Sequence, residues 1–86
     1  MSDPKVVVYT MDFCPYCTRA KHLLKSRGVP FKEILLDRSQ QADEWQSLMK
    51  RSGMRTLPQI FNGDELIGGY TELADLDSEK GLDHLR

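Results

Sequence analysis

At 86 residues, with 40% hydrophobic and 29% charged side chains, the chain has the size and balance of one small globular domain with a modest core. No apolar run is long enough to span a bilayer, and Val6-Val7-Val8 is too short for the core of a secretion signal. The net charge of −1 gives no electrostatic footprint for nucleic acid. The charge is unevenly spread, with six Lys/Arg against three Asp/Glu in residues 1–36 and six against ten in residues 37–86. The basic group Arg19, Lys21, Lys25 and Arg27 reads as the solvated face of a helix rather than a partner-steering patch. The expectation is one domain over residues 1–86, cytoplasmic and monomeric, with neither a membrane nor a nucleic acid as partner.

Lys5–Thr10 reads as the first strand. A helix follows from about Pro15 to Arg27, with Cys17, Ala20, Leu23 and Leu24 as its apolar stripe and Gly28 ending it. Phe31–Leu36 is the next strand, expected to be largely buried through Phe31, Ile34 and Leu35. A second helix covers roughly Ala42 to Lys50, where Trp45, Leu48 and Met49 share a face and Trp45 reads as a core anchor. Thr56–Phe61 reads as a strand, Asn62-Gly63-Asp64 as a hairpin turn and Glu65–Ile67 as the returning strand. Gly68-Gly69 breaks the chain before a helix from about Thr71 to Leu76, with Thr71 as its expected N-cap. A short helical segment from Ser78 to Arg86 closes the chain, with Leu82 and Leu85 packing inward. The order βαβ-α-ββα predicts an α/β fold, a four-stranded mixed sheet flanked by helices on both faces. Its first two strands are parallel and its hairpin pair antiparallel.

The only cysteines, Cys14 and Cys17, bracket Pro15 and Tyr16 at the junction of the first strand and the first helix. A thiol at a helix start faces unpaired N–H groups and the positive end of the macrodipole, and both favour the nucleophilic thiolate. An ordinary cysteine, with a pKa of about 8.5, is only a few per cent thiolate at pH 7. CxxC settings lower that to about 3.5–7, which asks the surroundings for about 2–6 kcal/mol. A lower pKa also makes the sulfur a better leaving group. Pro15 suits the first helical turn, where its missing N–H costs nothing. Cys17 lies about one turn on, close enough to attack a mixed disulfide formed by Cys14.

Three plainer readings fare worse. A structural disulfide across so short a link closes almost no loop and stabilises little. Zinc wants four ligands, and only His22 and His84 remain to join the cysteines, without the spacing of a finger. Two inert cysteines leave their placement unexplained. The pattern is that of a thiol–disulfide exchange site.

Val8-Tyr9-Thr10, then Cys14-Pro15-Tyr16-Cys17, then Thr56-Leu57-Pro58-Gln59-Ile60-Phe61, then Ile67-Gly68-Gly69-Tyr70 with Thr71-Glu72-Leu73 resemble the glutaredoxins, specifically their small bacterial dithiol class. The resemblance runs from about Lys5 to Leu85 and implies a thioredoxin-like fold. It further implies a glutathione-dependent oxidoreductase that reduces protein disulfides and glutathione mixed disulfides. Cys14 is then the nucleophile and Cys17 the resolving thiol. Pro58 is implied to be cis, with the Leu57 backbone pairing with the glutathione peptide. Tyr16 and Thr56 complete the implied groove, Gly69 permits close approach, and Thr71 and Glu72 hold the γ-glutamyl end. Glutathione is the reductant, with no tightly bound cofactor or metal. Disulfide-bonded or glutathionylated proteins are the partners, ribonucleotide reductase among them.

The chain departs from the family at Met11, where many members carry lysine; either Arg51 or Arg55 restores part of that charge, or glutathione is bound more weakly. Leu57 stands for the commoner valine, and Thr71 for a frequent aspartate or serine. Two other readings use the same fold. One is an iron–sulfur carrier, against which Pro15 and Cys17 count. The other is a redoxin served by a flavoprotein reductase, which would turn over without glutathione.

Overall fold

The computed structural model describes residues 4–37 and 39–85. Four strands form one sheet in the order β2-β1-β3-β4. They are β1 (Val6–Thr10), β2 (Phe31–Leu35), β3 (Gln59–Asn62) and β4 (Glu65–Gly68). The strands β1 and β2 run parallel, while β1–β3 and β3–β4 are antiparallel. This is the predicted mixed sheet. The helices are α1 (Pro15–Ser26), α2 (Ala42–Ser52) and α3 (Tyr70–Ser78), and a 3₁₀ turn covers Gly81–Leu85. Arg86, which the sequence assigns to the final helical segment, lies outside the described residues.

Alternation along the central strands divides the core between the two faces of the sheet. Val6, Val8 and Ile60 pack with Ala20 and Leu24 of α1, Leu73 of α3 and Leu82. Phe61, with Tyr9 against it, faces the opposite way toward Leu36, Leu48 of α2, Leu57 and Cys17. Leu85 packs against the first cluster, as expected. Trp45 is not the anchor the helical spacing suggests. It lies half-buried at the margin of the second cluster, and Leu48 is the buried residue of α2.

The other differences arise where tertiary position overrides local pattern. The strand β2 is not largely buried, because it is an edge strand, paired among the described residues with β1 alone. Leu35 is 50% exposed, and the buried leucine is Leu36, just beyond the strand. There its N–H donates to the Thr10 carbonyl (2.8 Å). The helix α2 continues past Lys50 until Gly53 supplies a left-handed residue (φ 74°) whose N–H closes on Met49 O. The strand β3 starts at Gln59 rather than Thr56, because proline has no N–H for a ladder and residues 56–58 turn outside the sheet. The helix α3 begins at Tyr70, so Gly69, not Thr71, is its N-cap. Glu72 Oε1 accepts the Gly69 N–H (2.8 Å), which sets that register.

Candidate active site

The central strand β1 delivers the chain to the reactive pair. Residues 11–13 cross from Thr10 to Cys14, the N-cap of α1, with Pro15 in the first turn. Cys14 has extended backbone (φ −114°, ψ 100°), and its sulfur accepts the N–H of Cys17 (3.2 Å). The Thr18 N–H closes on the Cys14 carbonyl (3.1 Å). A sulfur therefore does what a serine or aspartate oxygen does at other helix starts. The same N–H, with the helix dipole behind it, favours negative charge on the Cys14 sulfur once it is reduced.

Cys14 and Cys17 are joined as a disulfide, with their Cα atoms 5.2 Å apart. The two sulfurs have opposite surroundings. Cys17 is 2% exposed, packed among Leu36, Leu48, Leu57 and Phe61, whereas Cys14 lies partly open at the surface. Tyr16 projects outward between them, 56% exposed.

The remaining predicted residues gather on one side of Cys14, in a groove between the start of α1, the turn before β3 and the start of α3. Tyr16 forms one wall, and Thr56, Leu57 and Pro58 form the floor. Gly69, Thr71 and Glu72 form the opposite side. The Leu57–Pro58 peptide bond is cis, as the resemblance implies. The Leu57 carbonyl oxygen lies 3.8 Å from the Cys14 sulfur. In the disulfide that sulfur has no proton to donate, so this is a contact rather than a hydrogen bond.

The helix α3 opens into this groove with its first N–H groups free of intrahelical partners. Glycine at its N-cap has no side-chain oxygen to satisfy them. Gly68 is required by geometry. Its φ is +130°, and a Cβ there would lie 2.7 Å from Glu72 Cβ, Cγ and Oε1. At Gly69 a Cβ would meet the Pro58 carbonyl at 3.4 Å and Met54 Cε at 3.5 Å.

The site also uses residues that sequence reasoning misses. Tyr70 faces Tyr16 with ring centroids 6.1 Å apart, while the Arg19 guanidinium lies 5.3 Å from the centre of the Tyr16 ring. Met54 fills the groove between Thr56 and Gly69. Beneath the turn, Gln59 is fully buried and its Nε2 donates to the Thr56 carbonyl (3.1 Å). A polar residue directly after a proline at a strand start was the available signal for Gln59. Nothing local marks Met54.

Arg51, one of the residues expected to restore the charge absent at Met11, has its own partners. Its guanidinium lies 4.5 Å from the centre of the Phe61 ring and reaches Asp64 in the β3–β4 turn (3.7 Å). Arg55 lines a neighbouring cleft with Trp45, Met49 and Met54. The cation that shares a groove with both cysteines is Lys21. Its Nζ is held by Glu33 (2.9 Å), which also accepts the Thr10 hydroxyl (2.7 Å). That hydroxyl first, and Lys21 second, hold the Glu33 carboxyl below its ordinary value.

The sheet order and a CxxC pair at the first helix start define a thioredoxin-like redox protein. The family profile described as Glutaredoxin matches residues 6–67. The chain is 48% identical over 80 residues to Glutaredoxin 3 of Escherichia coli K12, covering 93% of this chain and 94% of that protein. It is 47% identical over 81 residues to a glutaredoxin of Neisseria meningitidis, covering 93% of each. Among solved structures, the Brucella melitensis glutaredoxin superposes with a TM-score of 0.81 at 41% identity, over 99% of this chain and 90% of that one. A buckwheat glutaredoxin–glutathione complex superposes with a TM-score of 0.85 at 29% identity, over 94% and 74%. The chain belongs to the glutaredoxin family, and it is a thiol–disulfide oxidoreductase. Glutaredoxins take their electrons from glutathione.

Proposed function

We propose that Cys14 is the nucleophile, that Cys17 is the resolving thiol, and that glutathione lies in the groove formed by Tyr16, Thr56, Leu57, Pro58, Gly69, Thr71 and Glu72. The observation that carries this reading is the contrast between the sulfurs: the reachable one accepts a helix N–H, and the other is sealed in the core. The exposed sulfur is the one an incoming disulfide can meet, and it is the one whose thiolate the helix start favours.

On a glutathione mixed disulfide, the Cys14 thiolate attacks the glutathione sulfur, and the substrate leaves as a thiolate. A second glutathione thiolate then attacks the Cys14-bound glutathione, regenerating Cys14 and releasing glutathione disulfide. On a protein disulfide, Cys14 forms a mixed disulfide with one sulfur while the other departs. The Cys17 thiolate then attacks the Cys14 sulfur and releases the second substrate thiolate. The resulting Cys14–Cys17 disulfide accepts two electrons from two glutathiones, which leave as glutathione disulfide.

The groove has the chemistry for this co-substrate. The Leu57 backbone lies beside the Cys14 sulfur, where a peptide can pair with it in strand fashion. The free N–H groups of α3 suit a carboxylate. Glu72 has one oxygen on Gly69 N and a second available to the glutathione ammonium. No cofactor is tightly bound in this scheme. The substrates are glutathionylated and disulfide-bonded proteins, ribonucleotide reductase among them, reduced in the cytoplasm by one monomeric domain.

The deciding test is the rate of deglutathionylation of a model peptide with glutathione and its recycling reductase as sole electron source. A rate that survives Cys17→Ser and vanishes in Cys14→Ser is expected. Turnover in Cys14→Ser, or none in the native chain, would overturn the assignment.

A further inference from the structure

We propose that a second groove, on the opposite side of Cys14 from the glutathione groove, receives the polypeptide half of the substrate and favours an apolar residue beside its reacting cysteine. This rests on the glutathione-dependent reading above and adds a specificity to it. The central strand β1 leads to Cys14, and β2 lies on one side of it while β3 and β4 lie on the other. The glutathione groove is on the β3 side. The second groove is on the β2 side, where Met11, Phe13 and Leu35 line it together with both cysteines and the Lys21–Glu33 pair.

Exposed apolar side chains scattered singly over a surface need no explanation, but a concentration of them does. Among the described residues, the exposed large hydrophobics are Met11 (39%), Phe13 (102%), Tyr16 (56%) and Leu35 (50%). Every one of them flanks Cys14, three in the second groove and Tyr16 in the first. Phe13 stands out further. It immediately precedes Cys14, its ring is wholly in solvent, and its backbone is left-handed at φ 56°. A residue with a Cβ resists that conformation, and the fold gains no buried contact from the ring in return. A side chain held this way beside a reactive sulfur suits a partner.

Charge separates the two possible occupants. Glutathione carries two carboxylates and needs an open cation or unpaired N–H groups. In the second groove Lys21 is already neutralised by Glu33 at 2.9 Å, and Asp12 adds negative charge. Met11, Phe13 and Leu35 supply exposed apolar surface and the groove has no spare positive charge, so a neutral apolar side chain fits and a second glutathione does not. A disulfide has two halves, and the two grooves sort them: the tripeptide toward α3, the protein toward β2.

The experiment uses two synthetic glutathionylated hexapeptides, identical except for leucine or asparagine on either side of the cysteine. Each is turned over with glutathione and its recycling reductase, and the ratio of the two kcat/KM values is read within each variant, which cancels changes in thiol reactivity. The native chain is expected to prefer the leucine peptide by about tenfold, the lower end for an apolar group placed in a pocket. Phe13→Asn keeps a residue that tolerates the left-handed backbone, and Leu35→Thr lies on an exposed strand edge away from the loop. Each is expected to cut the preference to less than about threefold. A native ratio near one, or a ratio that survives both substitutions, overturns the second groove and leaves the glutathione reading standing. No turnover of either peptide by the native chain overturns the glutathione reading, and this one with it.

Discussion

Two helix starts face the reaction, and they are built in opposite ways. The helix α1 begins on Cys14, whose own sulfur takes the Cys17 N–H. The helix α3 begins on Gly69, which has nothing to offer its helix, while Glu72 reaches back to the Gly69 N–H. The first start is occupied by a group that becomes an anion on reduction. The second leaves its N–H groups for an anion that arrives. The same macrodipole thus activates a resident nucleophile at one end of the groove and can bind a carboxylate at the other. A helix N-terminus acquires its job from whether its cap is filled.

Breaking the first start gives the largest effect. Cys14→Ser should lower disulfide reduction by about 10³-fold or more, as for other lost nucleophiles. Serine is itself a good N-cap, so an unchanged unfolding midpoint would place that loss in the chemistry rather than in the fold. Cys17→Ser sharpens the contrast between the sulfurs. It should abolish the intramolecular disulfide while sparing glutathionylated peptides, which mass spectrometry of the oxidised protein and the peptide assay would show.

Breaking the second start is next in size. Gly68→Ala forces a Cβ into Glu72 at a φ of +130°. It should cost about 1–3 kcal/mol in urea unfolding and raise the KM for glutathione. Glu72→Gln separates capping from charge, because the amide oxygen can still accept the Gly69 N–H. The unfolding midpoint should hold while the KM for glutathione rises roughly three- to tenfold, the loss of one charge-assisted contact.

The smallest effect concerns the Lys21–Glu33 pair, which lies near the first start but outside both. The Glu33 carboxyl is held below its ordinary 4.5 by Thr10 and Lys21. Its contribution is therefore present above about pH 4.5 and lost as pH falls through the folded value. The pair is about one-third exposed (29% and 36%), so the contribution is only a few tenths of a kcal/mol. Glu33→Gln should flatten the acid limb of thermal stability below about pH 4.5. An unchanged limb would show that the carboxylate adds nothing.

The two starts also differ in how readable they were. At α1 the cue is local: Cys14 is followed by Pro15 and preceded by a β-rich run, and the structure keeps the helix start there. At α3 the threonine looked like the cap because it is the residue type that usually caps. Glu72, reaching back to a glycine, moved the start ahead of it. Glycine at an N-cap leaves no side-chain signature. Likewise Phe31, Ile34 and Leu35 read as a buried strand because composition cannot reveal that β2 has only one neighbour. Cys14 and Pro58, 44 positions apart, were united by family likeness, and the places of Met54 and Tyr70 in the groove beside Pro58 came to light only when the chain folded.

Gln59 has a consequence for how the site meets its ligand. Its amide nitrogen donates to the Thr56 carbonyl, and its Oε1 has no hydrogen-bond partner among the described residues. That bond braces the floor of the groove at Thr56, where residues 56–58 lie outside the sheet and have no ladder to hold them. A peptide docking on the Leu57 backbone therefore need not order it first. The entropy of that ordering is settled during folding, once per protein molecule, instead of at every turnover.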